Sequence, residues 1–201
     1  MDEREFFDKL APEWDNNEIL STPQKVAEIL EYMELQPGMS VLDLGTGTGV
    51  LLPYIADKTG AEGRITAVDY SEGMLSRAKQ KYQELTPKPK FLRVDFEEEN
   101  IDGEYDRIIL YSVYPHLHEP IDTLKWLMKV NLKENGKVFI AFPCSEQFIN
   151  RIHKERKSES DMLPSASQLA DYFKANGLRA EVKAENSGAY VVELRKIKEW
   201  S

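Results

Sequence analysis

The residues best placed to do chemistry are three glycines at every second position, Gly45-Thr46-Gly47-Thr48-Gly49, preceded by Val41-Leu42-Asp43-Leu44. The apolar–acidic stretch reads as a strand over about 39–44, and Val50, Leu51, Leu52, Tyr54, Ile55 and Ala56 read as the start of a helix over about 49–59. A strand that opens through glycines into a helix N-terminus suits a nucleotide-like ligand. Glycine lets the backbone approach it closely, and free N–H groups with the helix dipole favour its anionic part. The spacing is not that of the dinucleotide fingerprint, because Val50 stands where the third glycine of G-x-G-x-x-G would. A plain strand-to-helix turn is the structural alternative.

Two carboxylates and a tyrosine accompany the loop. Arg64–Asp69 reads as a second strand closing on an acid, and Phe91–Phe96 as a third that carries Asp95 near its end. Tyr105–Tyr111 is a fourth, with an apolar run suited to the middle of a sheet. Lys137–Phe142, entered through an Asn135-Gly136 turn, is the fifth. Helices fall between them. Leu75, Ala78, Tyr82 and Leu85 share one face behind a Ser71 cap, and Ile121, Leu124, Leu127 and Met128 share another. Strands alternating with helices imply a parallel sheet with right-handed crossovers, whose ligands sit at the carboxyl ends of the strands. Asp69, Asp95 and Tyr111 are all expected there, beside the glycine loop.

The flanks complete one domain. Residues 1–35 are expected to form N-terminal cap helices. Phe6, Phe7, Leu10, Trp14, Ile19 and Leu20 form an amphipathic or aromatic flap, and Thr22-Pro23 opens a helix striped by Val26, Ile29, Leu30 and Met33. Residues 36–143 form the ligand-binding core. Residues 144–164, with Phe148, Ile149 and Ile152 ahead of a polar run from His153 to Asp161, read as a mobile insertion, a solvated segment or lid. Residues 165–201 give a helix stopped at Asn176-Gly177 and a hairpin about Asn186-Ser187-Gly188.

Composition narrows the class. A chain of 201 residues fits a single domain, and its net charge of −9 argues against gripping a phosphate backbone. No apolar run approaches a membrane span, and the acidic Met1–Glu5 is unlike a signal peptide. Cys144 is the only cysteine, so an internal disulfide is impossible, and the cytoplasm is the expected location. Glu97-Glu98-Glu99 reads as a solvated loop.

Taken together, these segments resemble the class I S-adenosylmethionine-dependent methyltransferases over nearly the whole chain, closest to the ubiquinone- and menaquinone-biosynthesis group. Val41 to Gly49 match the first motif, Val68 to Leu75 the segment after it, and Val94-Asp95-Phe96 the acidic third-strand motif. Tyr105 to Pro120 resemble the fourth-strand region, and Phe7-Asp8 through Trp14-Asp15 the N-terminal cap. The resemblance implies a Rossmann-like, seven-stranded α/β sheet, mostly parallel with a C-terminal antiparallel hairpin and helices on both faces. It also implies S-adenosyl-L-methionine as cofactor.

Residue by residue, the resemblance sets the amides near Gly45, Thr46 and Gly47 against the donor's carboxylate, and Asp43 on its ammonium. Asp69 would accept from the ribose hydroxyls and Asp95 from the purine amine. Tyr70, Met74 and Phe96 would pack on the purine, while Tyr111 and Ser112 line the methionyl end. His116, with His118 behind it, is the candidate general base, and Trp14 and Tyr114 are expected to face the acceptor. Two histidines at i, i+2 without a third ligand do not make a metal site, and none is expected. Tyr111-Ser112-Val113-Tyr114 departs from the Asn/Asp-Pro-Pro-aromatic tetrad of base-modifying enzymes, which with the acidic charge favours a small-molecule acceptor over nucleic acid. The alternatives are a donor-binding module without acceptor chemistry and a nicotinamide-dependent oxidoreductase. A monomer or homodimer with no membrane partner is expected.

Overall fold

Side chains alternate across a strand, so a sheet buried on both faces needs apolar residues at consecutive positions. The computed structural model, which describes residues 3–17, 21–155 and 162–197, shows this in its central strands. These are β1 (Ser40–Leu44), β2 (Arg64–Asp69), β3 (Lys90–Arg93), β4 (Tyr105–Tyr111), β5 (Leu132–Phe142), β6 (Arg179–Glu185) and β7 (Tyr190–Arg195). They form one sheet in the order β3-β2-β1-β4-β5-β7-β6. The first five pair in parallel, and β7 runs antiparallel to both β5 and β6. Ile108, Leu110, Val138 and Ile140 enter one core, while Ile109, Phe139 and Ala141 enter the other.

Helices cover both faces. The helices α3 (Pro23–Glu31) and α4 (Leu52–Thr59) fill one side with Val26, Ile29, Leu30, Leu52 and Ile55. On the other side lie α6 (Pro120–Val130), α7 (Glu146–Glu155) and α8 (Ala166–Ala175), with Leu124, Leu127, Ile149, Leu169 and Phe173. The helix α5 (Glu72–Tyr82) follows β2, and α1 (Glu3–Leu10) and α2 (Trp14–Asn17) precede the sheet. Ser71 caps α5 by accepting from Met74 N, and Thr22 caps α3 from Lys25 N.

Several boundaries differ from the sequence expectation. The helix after the glycine loop begins at Leu52, because Gly45, Gly47 and Gly49 take φ of +67, +55 and +83° and Pro53 enters the first turn. The third strand stops at Arg93, so Asp95 and Phe96 lie in the loop beyond it. The expected turn at Asn135-Gly136 lies inside β5, whose register against β4 shifts between Tyr105 and Arg107. Described parts of the 144–164 segment pack on the core or bond to each other. Ile149 of α7 is buried, and the Asn150 side chain both accepts from Leu163 N and donates to Leu163 O at 2.8 Å. Ile19, Leu20 and Arg156 to Asp161 lie outside the described residues.

Glu97 is not solvated either. Its carboxylate accepts from the amides of His118 and Glu119 at 3.0 and 3.1 Å and pairs with His118 Nδ1 at 3.0 Å, so it satisfies the start of α6 from another loop. Burial alone would raise its pKa, but these hydrogen bonds hold it below the ordinary carboxylate value. Glu97→Ala is expected to lower stability by about 1–2 kcal/mol, the range for losing a helix cap. Urea unfolding checks this, and an unchanged midpoint would show the contact to be idle.

Charged residues also enter the sheet, at Arg107 of β4, Lys137 of β5 and Glu193 of β7. Glu193 is 1% exposed and lies 3.1 Å from Lys137 Nζ, which also reaches Glu34 at 2.8 Å. The Arg107 guanidinium donates to the carbonyls of Met33 and Glu34. These paired charges fix the end of α3 rather than build a site.

Candidate active site

The carboxyl ends of β1 and β2 bring two carboxylates under the glycine loop. Asp43 is 1% exposed and accepts from Thr46 Oγ1 at 2.7 Å. Asp69 is 6% exposed and accepts from Gly47 N at 2.8 Å and Ser71 N at 2.9 Å. It therefore ties the loop to the start of α5. Burial pushes the Asp43 carboxyl up to about 7, with the neighbouring Asp69 charge adding to the rise. Burial likewise pushes Asp69 to about 6 against the pull of the backbone amides of Ser71, Gly47 and Tyr70.

The loop is shaped by close approach. Gly45 has positive φ, and a Cβ there would lie 2.4 Å from Val113 Cγ2, so the loop after β4 seats directly on it. Above Gly47 nothing lies within 4 Å of a Cβ position. The amides do not form the free cradle expected of them: Thr46 N donates to Val68 O at 2.9 Å and Gly47 N to Asp69. Thr46 contributes through its hydroxyl instead. At the tip of β4, Ser112 holds φ of +58°, a strained backbone of the kind concentrated at functional sites.

The N-terminal segment closes over these strand ends. The Phe7 ring meets Trp14 at 5.7 Å, Tyr70 at 6.2 Å and His116 at 5.5 Å between centroids, so the aromatic flap lies at the mouth. Polar contacts hold it there. Asp8 accepts from Ser71 Oγ at 2.6 Å and Gly73 N at 2.9 Å, and Asp15 from Thr48 Oγ1 at 2.6 Å and Lys81 Nζ at 3.0 Å. Ser21 Oγ lies 3.0 Å from the Tyr111 hydroxyl. Gly73 makes the docking possible, since a Cβ there would lie 3.1 Å from Asp8 O. The Arg4 guanidinium pairs with Asp95 at 3.6 Å and lies over the Tyr70 ring.

Most residues singled out by sequence reading therefore surround one region, and some do not. Asp43, Asp69, Tyr70, Asp95, Tyr111, Trp14 and His116 converge at the strand tips. Met74 is 2% exposed in the first turn of α5, and half-buried Phe96 packs on the α6 side of the core. Tyr114, expected at the acceptor, is turned toward the core. It is 9% exposed, and its ring meets Phe173 at 5.8 Å, because the short 3-10 turn at 114–116 rotates it inward. His118 points away to Glu97. Sequence reading missed Arg4, Asp8, Asp15, Thr48 and Glu97. Asp8 and Asp15 carried a signal, each being an acid next to or following an aromatic that packs on the mouth.

The chemistry of these groups fits an adenosyl donor with an amino-acid tail. Asp43 is sealed from water, and among the described residues its one hydrogen-bond partner is a neutral hydroxyl, which suits an ammonium. Asp69 uses two of about four acceptor positions on its amides, leaving others for vicinal hydroxyls. Residues 35–188 match the family model described as a methyltransferase domain. The chain is 31% identical over 147 residues to a protein-L-isoaspartate O-methyltransferase of Methanothermobacter thermautotrophicus, covering 71% of this chain and 63% of that protein. It is 28% identical to a 2-phytyl-1,4-naphtoquinone methyltransferase of Nostoc sp., covering 83% and 76%. A solved S-adenosylmethionine-dependent methyltransferase of Aquifex aeolicus superposes with a TM-score of 0.69 at 23% identity, covering 87% and 94%, and shows the same fold. The chain thus belongs to the methyltransferase-domain family and carries its cofactor-facing strand tips on a Rossmann-like seven-stranded sheet.

Proposed function

We propose that this enzyme methylates a small-molecule acceptor that enters between the N-terminal cap and the tip of β4. The observation that supports this is the ring cluster about Phe7, which gathers Trp14, Tyr70 and His116 beside the strand tips and offers an acceptor apolar, aromatic contacts. The net charge of −9 favours such an acceptor over nucleic acid. The quinone substrate named for the Nostoc relative belongs to the same class.

Bound S-adenosylmethionine supplies a methyl group on a positively charged sulfur, already activated toward attack. The chain's own work is therefore binding, orienting and excluding water. In this reading Asp43 holds the ammonium, Asp69 the ribose hydroxyls and Asp95 the purine amine. Tyr70, Met74 and Phe96 give the purine apolar contact, while Gly45, Thr46, Gly47 and Tyr111 border the methionyl end. Alignment of acceptor and donor in a dry pocket can contribute roughly 7–11 kcal/mol to the barrier. Trp14 faces the acceptor. His116 takes the acceptor's proton where one must leave, helped into place by Phe7 and by the His153 ring 6.1 Å away. The single cysteine suits the cytoplasm. Among the described residues, no helix is long and apolar enough to cross a membrane.

Methyl-labelled donor incubated with the enzyme and a metabolite extract is expected to label the low-mass fraction. Label on an isoaspartyl peptide instead would favour the substrate named for the archaeal relative. Donor binding with no transfer to any fraction would leave a binding module.

A further inference from the structure

The first turn of α1 reaches the two groups that the proposed donor site gives to the purine. The Arg4 guanidinium carbon lies over the Tyr70 ring, 5.6 Å from its centre, and Arg4 Nη2 lies 3.6 Å from Asp95 Oδ2. A guanidinium is flat, stacks on aromatic faces and carries N–H donors in its plane. It therefore offers Tyr70 and Asp95 what an aminopurine offers them, a face to stack and an N–H for the carboxylate. Both cannot be there together. A ring between Tyr70 and the guanidinium needs two contact distances of about 3.5 Å each, more than the separation present.

The contact is also one that the protein can release. Among the described residues, buried Arg4 Nε has no hydrogen-bond partner, so its position over Tyr70 leaves that donor unsatisfied there. The rest of the cap is anchored independently by Asp8 on Ser71 and Gly73, and by Asp15 on Thr48 and Lys81. Only the first turn of α1, or the Arg4 side chain alone, has to move.

We propose that Arg4 is a gate on the donor site, occupying the purine seat in the ligand-free enzyme and leaving it when S-adenosylmethionine binds. The proposal rests on the reading of Tyr70 and Asp95 as the purine's partners. A competitor within the chain lowers apparent affinity by the fraction of molecules in which it is seated. It slows association and leaves dissociation unchanged.

The test uses the full chain with S-adenosylhomocysteine as probe, calorimetry for affinity and intrinsic tryptophan fluorescence in stopped flow for rates. Arg4→Ala is expected to tighten binding roughly fivefold, the scale of one partly exposed ion pair plus one cation–π contact, with the gain in the association rate. Arg4→Lys, which keeps the charge without the flat face, is expected to fall between. Unchanged or weaker binding by Arg4→Ala overturns the gate, since weaker binding would make Arg4 part of the occupied site. The underlying reading fails separately. If Asp95→Ala added to Arg4→Ala costs no affinity, Asp95 is not a purine contact and the gate falls with it.

Discussion

Asp69→Ala is expected to weaken S-adenosylhomocysteine binding roughly tenfold or more and to lower thermal stability in the same protein. The two effects have separate origins. The carboxylate accepts from Gly47 N at 2.8 Å and Ser71 N at 2.9 Å, so it bridges the glycine loop and the first turn of α5. Truncation leaves both amides without a partner in a region that is almost sealed from water, at roughly 1–3 kcal/mol for each group that stays unsatisfied. The affinity loss arises because the ribose hydroxyls lose their acceptor, and tenfold corresponds to about 1.4 kcal/mol. Asp69→Asn separates the contributions, since its amide oxygen can still accept from one N–H while its NH2 group faces the other. It is expected to bind less tightly than wild type and to melt between wild type and Asp69→Ala. Near wild-type affinity for Asp69→Ala in calorimetry would show that the ribose does not rest there. An unchanged melting temperature would show that the bridge does not organise the loop.

How far the chain could be read in advance follows from how local each signal is. Strand identities, the Thr22 and Ser71 caps and the glycine loop depend on neighbours within a few residues, and all stand in the structure. The terminal hairpin is equally local, with Asn186 accepting from Gly188 N and Ala189 N across its turn. Contacts made across the chain were not legible. Asp8 meets Gly73, and Glu97 meets His118, through loops whose approach no periodicity announces. Three consecutive acids look solvated until an unsatisfied helix start is brought to one of them. Tyr114 illustrates a second limit, direction. A residue three past the tip of β4 is near the site, but the turn it occupies decides which way it points, and here it points to Phe173. The amides of Thr46 and Gly47 illustrate a third. The loop donates them to Val68 and Asp69 at the end of β2, so positive φ supplies the backbone shape without leaving the expected donors free.

Donor affinity is expected to fall as pH drops below neutrality, and Asp43 is the group that sets the midpoint. Its carboxyl titrates near 7 because burial disfavours the charge and Asp69 lies close by, so a large share of the ligand-free protein carries Asp43 protonated at neutral pH. The proposed ammonium contact requires the ionised form. Binding therefore expels a proton, and apparent affinity is expected to drop about tenfold between pH 8 and pH 6, with Asp69 steepening the fall below its own value of about 6. Stability of the ligand-free protein runs the other way. Both groups have folded-state values above the ordinary 3.8, so the folded state holds more protons than the unfolded between about 4 and 7. These two groups thus make it more stable as pH falls from 7.5 to 5.5. The opposed slopes are a signature that a general pH sensitivity would not give. Calorimetry in buffers of differing ionisation enthalpy measures the proton release directly. Asp43→Asn, which keeps the hydrogen bond from Thr46 but cannot ionise, is expected to bind weakly and without a midpoint near 7. If the variant kept the wild-type pH profile, or if wild-type affinity were flat from pH 6 to 8, the ammonium would have to be held elsewhere. The buried Asp43 would then serve only to brace the loop through Thr46.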